Sequence, residues 1–398
     1  MLGINSNINS LVAQQNLTGS GSALSQAITR LSSGKRINSA ADDAAGLAIS
    51  NIMQTQINGL NQGVSNSNDG VSLVQTASSG LSSLTSSLQR IRQLATQAAN
   101  GSMTSDDRAA LQKEVNQQVS EINRIASQTT YNGMNVLNGS LGNVSFQVGA
   151  NVGQTISLSL TQNMSAASIG SGVPQAGQTL GTFSGLSLNS AGATVAASAA
   201  TVTSVNVVSD GSGGFTFTDQ NNQALSQTAV GALFTATNEA SSTGGGFQGS
   251  GTAVTLTDGG MSAAMAAAAG SAGSAAAAAA GVAMETQIGA YNAPTDVANV
   301  NISTASGASM AMESIDNALN TLNNLQATLG AAQNRFTAIG TTQQAQSTDL
   351  STAQSSIQDA NFAEETANLS KAQVLQQAGI SVLAQANSQP QQILKLLQ

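Results

Sequence analysis

The sequence predicts a mainly α-helical protein with a smaller β part, and three observations carry this prediction. Proline, the strongest helix breaker, occurs only at Pro174, Pro294 and Pro390, so both ends of the 398-residue chain are free to form long helices. Apolar residues follow coiled-coil spacing in both halves of the chain. Segments of strand-like alternation lie between them. We therefore expect long antiparallel coiled-coil helices from both termini, a β-hairpin and a small, mostly-β outer domain.

Two apolar seams predict the long helices. The first seam repeats apolar residues at alternating steps of three and four: Val71, Val74, Ala77, Leu81, Leu84, Leu88, Ile91, Ala95 and Ala98. The second seam has similar spacing in the later part of the chain: Ile315, Leu319, Leu322, Leu325, Leu329, Ala332, Phe336 and Ile339. Because an apolar stripe of this length is unfavourable in water, we expect the two helices to pack against each other.

A third helix and a hairpin are predicted between the seams. Thr104, followed three residues later by Asp107, has the spacing of a capping box, which marks the start of a helix. This helix is expected to end near the Asn132-Gly133 turn. Two alternating segments joined by a Gly-containing loop then predict the strands of a β-hairpin: Val144, Phe146 and Val148, followed by Ile156, Leu158 and Leu160.

Composition and pattern divide the chain into three predicted domains. Residues 1–42 and 360–398 form a terminal helical domain, residues 43–175 and 300–359 form a helical domain with the hairpin, and residues 176–299 form an outer domain. The outer segment is rich in Gly, Ser, Ala and Thr. The terminal segments carry few large apolar residues for their length, so we expect them to need neighbouring subunits for stability.

The composition argues against an enzyme. The sequence has no Cys, no His and no Trp, which removes thiolate nucleophiles, imidazole bases and most zinc or copper sites. Ser32 and Lys35 have the spacing of a lysine-activated serine, but the Lys-Thr-Gly and Ser-Asp-Asn motifs that accompany it are absent from the sequence. Asp210 and Asp219 lack the ligand spacing of a calcium loop and favour turns. We expect no catalytic residue, no cofactor and no metal.

The charges are distributed unevenly along the chain. The net charge is -8, and no Lys or Arg occurs between Arg124 and Arg335. The ends are nearly neutral and can associate, whereas the acidic middle stays soluble. A nucleic-acid partner is not expected, because the sequence has no basic patch with aromatic partners. A membrane partner is not expected either, because the Ala-rich residues 261–284 are interrupted by Gly and Ser and predict a surface helix or loop.

Five stretches of sequence resemble the bacterial flagellin family. They are RLSSGKRINSAADDAAGLAI at 30–49, NDGVSLVQTA at 68–77, LQRIRQLA at 88–95, LGAAQNRF at 329–336 and ANLSKAQVLQQAGISVLAQAN at 367–387. The resemblance covers roughly residues 1–160 and 305–398. The middle of the chain matches weakly, as the variable outer domains of that family do.

The resemblance implies a secreted structural subunit that polymerises into the extracellular filament of the bacterial flagellum for motility. It further implies export by a dedicated type III apparatus and partners of four kinds: further copies of the subunit, an export chaperone, a filament cap and hook-junction proteins. The predicted self-assembly seam consists of Leu24, Leu31, Leu81, Leu84, Leu88, Ile91, Leu329, Phe336, Leu369 and Leu383.

Three residues match positions by which flagellins engage a vertebrate Toll-like receptor: Arg90, Leu94 and Glu114. Surface helix residues with no such partner are the alternative, and Gln93 stands where many receptor-active relatives have Glu. Two other functions compete with that of a filament subunit. A hook-filament junction protein would have flagellin-like termini. An enzyme-bearing flagellin would need a His-Glu-x-x-His helix, and this sequence has no His.

Overall fold

The computed structural model describes residues 7–174, 176–237, 241–242, 246–248, 254–269 and 273–396. The first six and last two residues of the predicted terminal domain lie outside the described residues. The chain forms two compact units. The first comprises the described parts of Met1–Asn68, Phe146–Ile156 and Phe336–Gln398, and the second comprises those of Asp69–Ser145 and Ser157–Arg335.

Long helices at both ends and antiparallel strands between them confirm the predicted fold class. The helices are α1 (Ile8–Ser33), α2 (Ala44–Ala98), α3 (Ser105–Gln128), α4 (Gln227–Leu233), α5 (Met261–Ala269), α6 (Ser274–Asn292), α7 (Ala305–Gln358) and α8 (Phe362–Leu396). The strands are β1 (Thr130–Tyr131), β2 (Met134–Asn135), β3 (Gly142–Gln147), β4 (Thr155–Leu160), β5 (Thr179–Leu188), β6 (Val202–Ser209), β7 (Phe215–Asp219), β8 (Phe234–Thr237), β9 (Ser241–Ser242), β10 (Gly246–Gln248) and β11 (Thr255–Asp258).

Local signals set the ends of the helices. Asn7 caps the start of helix α1, where its side chain accepts a hydrogen bond from the backbone N–H of Ser10, and Gly34 caps the end of the helix with a φ of 69° that glycine adopts readily. At the start of α3, the backbone N–H of Asp107 donates to the Thr104 hydroxyl, and the Asp107 carboxylate accepts from the Thr104 backbone. The predicted capping box is therefore confirmed.

The first unit has an aromatic contact close to the turn of the hairpin. Phe336 on α7 is fully buried and meets Phe146 on β3 edge to face, with ring centroids 5.1 Å apart. At Gly63 on α2, a Cβ atom would lie 2.1 Å from the Val148 carbonyl oxygen and 2.8 Å from Gln343 Oε1. Only glycine permits this close approach, so Gly63 lets the hairpin and α7 pack against α2.

The second unit pairs α2 with α7 and α3. The Arg92 guanidinium on α2 donates to both carboxylate oxygens of Asp316 on α7, at 2.6 and 3.1 Å. Gln112 on α3 bonds the chain just before α7, accepting from the Ile302 backbone N–H at 2.7 Å and donating to the Val300 carbonyl. These bonds fix α3 beside the start of α7.

The predicted Asn132-Gly133 turn and the predicted hairpin are both present, and the turn also joins a short strand pair that the sequence did not predict. Tyr131 pairs with Met134 across the Asn132-Gly133 turn, in which both turn residues have positive φ. Strands β3 and β4 pair as the predicted hairpin. Alternate residues of β4 are buried, in agreement with the alternation in the sequence.

The outer part of the second unit is an antiparallel sheet with helices packed against it. The sheet order is β5-β6-β7-β10-β9, and β11 pairs separately with β8. Phe183, Phe215, Phe217 and Phe234 are buried in its core, and the rings of Phe217 and Phe234 stack 4.7 Å apart. Helices α4, α5 and α6 belong to this region, and α5 and α6 occupy the Ala-rich segment. Among the described helices, none is both long and apolar enough to span a bilayer.

Candidate assembly surface

Helices α1 and α8 meet through alanines. Ala13 and Ala27 on α1 and Ala372 and Ala386 on α8 are the buried apolar residues of these two helices within the described side chains. At Gly379, an added Cβ would lie 3.3 Å from Leu17 Cδ1. Leucines lie at coiled-coil steps from these alanines, and those such as Leu24 and Leu383 are only half-buried. The helix pair therefore buries little apolar area in a single subunit.

Polar contacts align the two helices antiparallel. The Asn7 side-chain amide donates to the Ala386 carbonyl at 2.8 Å, and the Ser10 hydroxyl donates to Asn387 Oδ1 at 2.7 Å. At the opposite end of the pair, Arg30 and Glu365 form an ion pair at 3.7 Å. These bonds fix the register of α1 on α8.

Large apolar side chains of both helices face outward. On α1 they are Ile8, Leu11, Val12 and Ile28, which are 50 to 68% exposed. On α8 they are Phe362, Val374, Leu375, Ile380 and Val382, which are 51 to 68% exposed. Scattered exposed apolar residues are ordinary, but nine on two paired helices constitute an apolar surface that favours association.

The residues of the predicted self-assembly seam fall into two groups in the structure. Six are buried inside the subunit, with no more than 1% exposure: Leu81, Leu84, Leu88, Ile91, Leu329 and Phe336. Four are half-buried on α1 and α8: Leu24, Leu31, Leu369 and Leu383. The more exposed residues Val374, Ile380 and Val382 are absent from the predicted set. In the sequence, these residues could have been identified because they flank the positions of α8 that pack against α1.

The three predicted receptor contacts lie together on the pair formed by α2 and α3. Arg90 on α2 is exposed, and its guanidinium binds the carboxylate of Glu114 on α3 at 2.6 Å. Leu94 is one turn further along α2 and only 1% exposed. The charged side chains of Arg90 and Glu114 thus reach the surface, whereas the side chain of Leu94 is packed beneath it.

Two carboxylates are buried in the second unit. Glu285 on α6 is 4% exposed, and burial, with a smaller contribution from Asp258, raises its pKa to about 7. Glu313 on α7 is 6% exposed, and burial raises its pKa, although a hydrogen bond from Gln178 opposes that shift. Within the described residues, no three His, Cys, Asp or Glu side chains cluster closely enough to hold a metal ion.

A long helical subunit with an apolar surface on its paired terminal helices defines a self-associating structural protein. Three family models match this chain: the bacterial flagellin N-terminal helical region over residues 4–141, the flagellin D2 domain over residues 172–324, and the bacterial flagellin C-terminal helical region over residues 312–397. The chain belongs to the bacterial flagellin family and is a structural subunit that polymerises into the flagellar filament.

Individual relatives agree with this assignment. The B-type flagellin of Pseudomonas aeruginosa is 38% identical, with 100% of this chain and 99% of the relative covered. Flagellin B of Vibrio anguillarum is 34% identical over the same shares of the two chains. The solved structure of FliC from Burkholderia pseudomallei is 58% identical, covers 67% of this chain and 99% of that chain, and has a TM-score of 0.59. The flagellar junction protein FlgL from Legionella pneumophila is far more distant, at 16% identity and a TM-score of 0.40.

Proposed function

We propose that the outward apolar faces of α1 and α8 are the principal contacts between subunits in the filament. The observation that carries this proposal is the arrangement of the pair, in which the buried apolar residues are alanines and larger side chains such as Leu11 and Ile380 face solvent. Burying each large apolar side chain contributes about 1.5 to 3 kcal/mol. A surface with nine of them supplies a strong driving force for polymerisation.

The predicted seam residues act at two levels in this proposal. Leu24, Leu31, Leu369 and Leu383 border the apolar faces and contribute contacts directly. The six buried residues support assembly by keeping the long helices straight and in register, since their side chains are enclosed within the subunit. On this view residues 1–42 and 360–398 form the filament core, residues 43–175 and 300–359 surround it, and residues 176–299 face solvent.

Export and accessory partners follow from the same surface. We infer that the subunit is secreted through the growing flagellum, where a chaperone covers α8 before assembly and the filament cap and hook-junction proteins contact the subunit afterwards. The exposed Val374, Ile380 and Val382 support this inference, because an apolar helix face of this kind needs a partner before polymerisation. The family is one of structural proteins, and the lack of His and Cys supports the further proposal that the chain has no catalytic activity.

Recognition by a vertebrate Toll-like receptor is a separate proposal. Arg90 and Glu114 support it, because they present a charged pair on one exposed helical surface. Leu94 could contribute only through the shape of that surface, since it is buried. A purified monomer of the Arg90→Ala variant should lose signalling in receptor-bearing cells relative to the parent. A parent monomer that is silent at saturating dose would contradict the proposal.

Charge substitutions can test the role of the apolar faces, with control substitutions at other exposed positions of the same helix. The test variants Ile380→Asp and Val382→Asp place a carboxylate among the exposed apolar side chains of α8. The controls Gln377→Asp and Ser381→Asp place the same charge on exposed polar positions of the same helix. Sedimentation of pelletable filaments, with electron microscopy of the pellets, measures assembly. We expect the test variants to stay in the supernatant and the controls to pellet like the parent.

Two outcomes would overturn this assignment. If the test variants form filaments as readily as the controls, the apolar face is not a subunit contact. If all four variants stay soluble, added charge anywhere on α8 blocks assembly, and the apolar side chains have no special role. Circular dichroism of each monomer verifies that the helices are retained.

A further inference from the structure

The chain contains four Asn-Gly pairs, beginning at Asn58, Asn100, Asn132 and Asn138. In such a pair, the backbone nitrogen of the glycine can attack the side-chain amide carbon of the asparagine, since glycine has no side chain to block it. The reaction requires that the asparagine side chain be free to turn towards the backbone. It also requires a glycine N–H that is free to lose its proton.

Three of the four asparagine side chains are held by hydrogen bonds. Asn58 lies within α2 and accepts from the Gln54 side chain at 3.0 Å. Asn100 accepts from the Ser102 backbone N–H at 3.1 Å. Asn138 accepts from both the backbone N–H and the hydroxyl of Ser140, at 3.0 and 2.6 Å. In each case the amide is kept in a fixed orientation.

Asn132 is different. It is exposed, it occupies the tight turn between β1 and β2, and its φ of 50° makes it one of two residues other than glycine with positive φ in the described chain. No hydrogen bond holds its side chain among the described residues. Gly133 is also exposed, and its backbone N–H donates no hydrogen bond among the described residues, so it is free to lose its proton to solvent.

We propose that Asn132 is a site of spontaneous deamidation, in which the backbone nitrogen of Gly133 attacks the asparagine side chain. The Gly133 nitrogen loses its proton to solvent and forms a bond to Cγ of Asn132, and the side-chain nitrogen takes up one proton from solvent and leaves as ammonia. The product is a five-membered succinimide. One water molecule then opens the ring by breaking either of its two C–N bonds, which gives aspartate or isoaspartate. The net change is the gain of one water and the loss of one ammonia.

The two products should affect the turn differently. Aspartate tolerates positive φ almost as well as asparagine, so it keeps the turn and adds one negative charge. Isoaspartate inserts a methylene group into the main chain. A two-residue turn has no room for this insertion, so the pairing of Tyr131 with Met134 should be lost.

The test uses the full-length protein, incubated in mildly alkaline buffer in native form and in concentrated urea. Trypsin is unsuitable because no Lys or Arg lies between Arg124 and Arg335, so chymotrypsin is used to cut after Tyr131 and Leu137. Mass spectrometry then follows the replacement of amide nitrogen by oxygen in separate peptides. Enzymatic methylation of isoaspartyl groups gives a second readout, and Asn132→Gln serves as the control variant.

In the native protein we expect Asn132 to convert about fivefold faster than Asn100 and Asn138, which is the factor that one hydrogen bond contributes. In urea the three rates should converge, and Asn132→Gln should remove most of the isoaspartyl signal from native protein. The proposal is overturned if the three sites convert equally in the native protein. It is also overturned if Asn132 stays intact while the unfolded chain reacts, or if Asn132→Gln leaves the isoaspartyl signal unchanged.

Discussion

Replacing Glu285 by glutamine should stabilise the outer region of the protein at alkaline pH. Glu285 is 4% exposed, has no hydrogen-bond partner among the described residues, and has a pKa of about 7 instead of 4.5. The described elements packed against its helix α6 are α5, β5 and β11. Of these, only β11 carries an ionisable group, Asp258, whose negative charge adds to the effect of burial. These elements therefore supply no cation to compensate the carboxylate when it ionises.

The sign and size of the effect follow from proton linkage. Because the folded state holds this proton more tightly than the unfolded state, the contribution of Glu285 to the free energy of unfolding is greatest below pH 4.5 and falls as the pH rises to about 7. Above that pH both states are ionised and the loss stays constant. The shift from 4.5 to about 7 corresponds to about 3 kcal/mol. Glu285→Gln cannot ionise, so it should match the parent near pH 4.5 and exceed its stability by about 3 kcal/mol at pH 8.

Tyrosine fluorescence can follow this region alone in the full-length chain. The sequence has two Tyr and no Trp, and Tyr291 packs against the outer core. In a Tyr131→Phe background, urea unfolding monitored by tyrosine emission therefore reports the surroundings of Glu285. Asp69→Asn, which removes a carboxylate from an exposed position on α2, is the control and should leave the pH dependence intact. Equal pH dependence in the parent and in Glu285→Gln would refute the reasoning.

Three other perturbations have definite expected outcomes. Thr104→Ala removes the capping hydroxyl of α3 and should lower the stability by about 1 kcal/mol, measured by urea unfolding of the monomer, whereas Thr104→Ser should lose much less. Phe336→Ala leaves a cavity beside Phe146 and should cost about 3 to 5 kcal/mol, measured in the same way, and a loss below 1 kcal/mol would mean that the ring packs loosely. Removing residues 180–298 and joining the ends with a short linker should preserve polymerisation, whereas removing residues 378–398 should abolish it, as judged by sedimentation. A soluble central deletion or ordered filaments from the truncated chain would contradict this last expectation.

The parts of the fold that sequence predicts are those encoded by local signals. The capping box at Thr104, the turn at Asn132 and the alternation in β4 each depend on neighbouring residues, and each is present as predicted. The seams along α2 and α7 have a long regular period, so their apolar residues could be assigned to the interior before the structure was known.

The outer region shows where such reasoning stops. Helices α5 and α6 are composed mainly of alanine, so their sequences carry no apolar stripe to show which face is buried. The burial of Glu285 depends on α5 and β11 packing around α6, and these contacts are set by tertiary structure. A single acidic residue in an alanine-rich stretch predicts a solvated position, and the structure instead encloses it.

The terminal helices bury few large apolar side chains, and this feature links their sequence to the proposed polymerisation. A self-sufficient coiled coil encloses large apolar residues at its seam. Here the buried apolar residues among the described side chains of the pair are Ala13, Ala27, Ala372 and Ala386. Seam leucines such as Leu24 and Leu383 are only half-buried, and Leu11 is 68% exposed. In the proposed filament, most of the free energy of apolar burial is therefore withheld from the monomer and is released when neighbouring subunits cover the outer faces. On this proposal the helix pair is weakly stabilised in the monomer and gains its full stability on assembly.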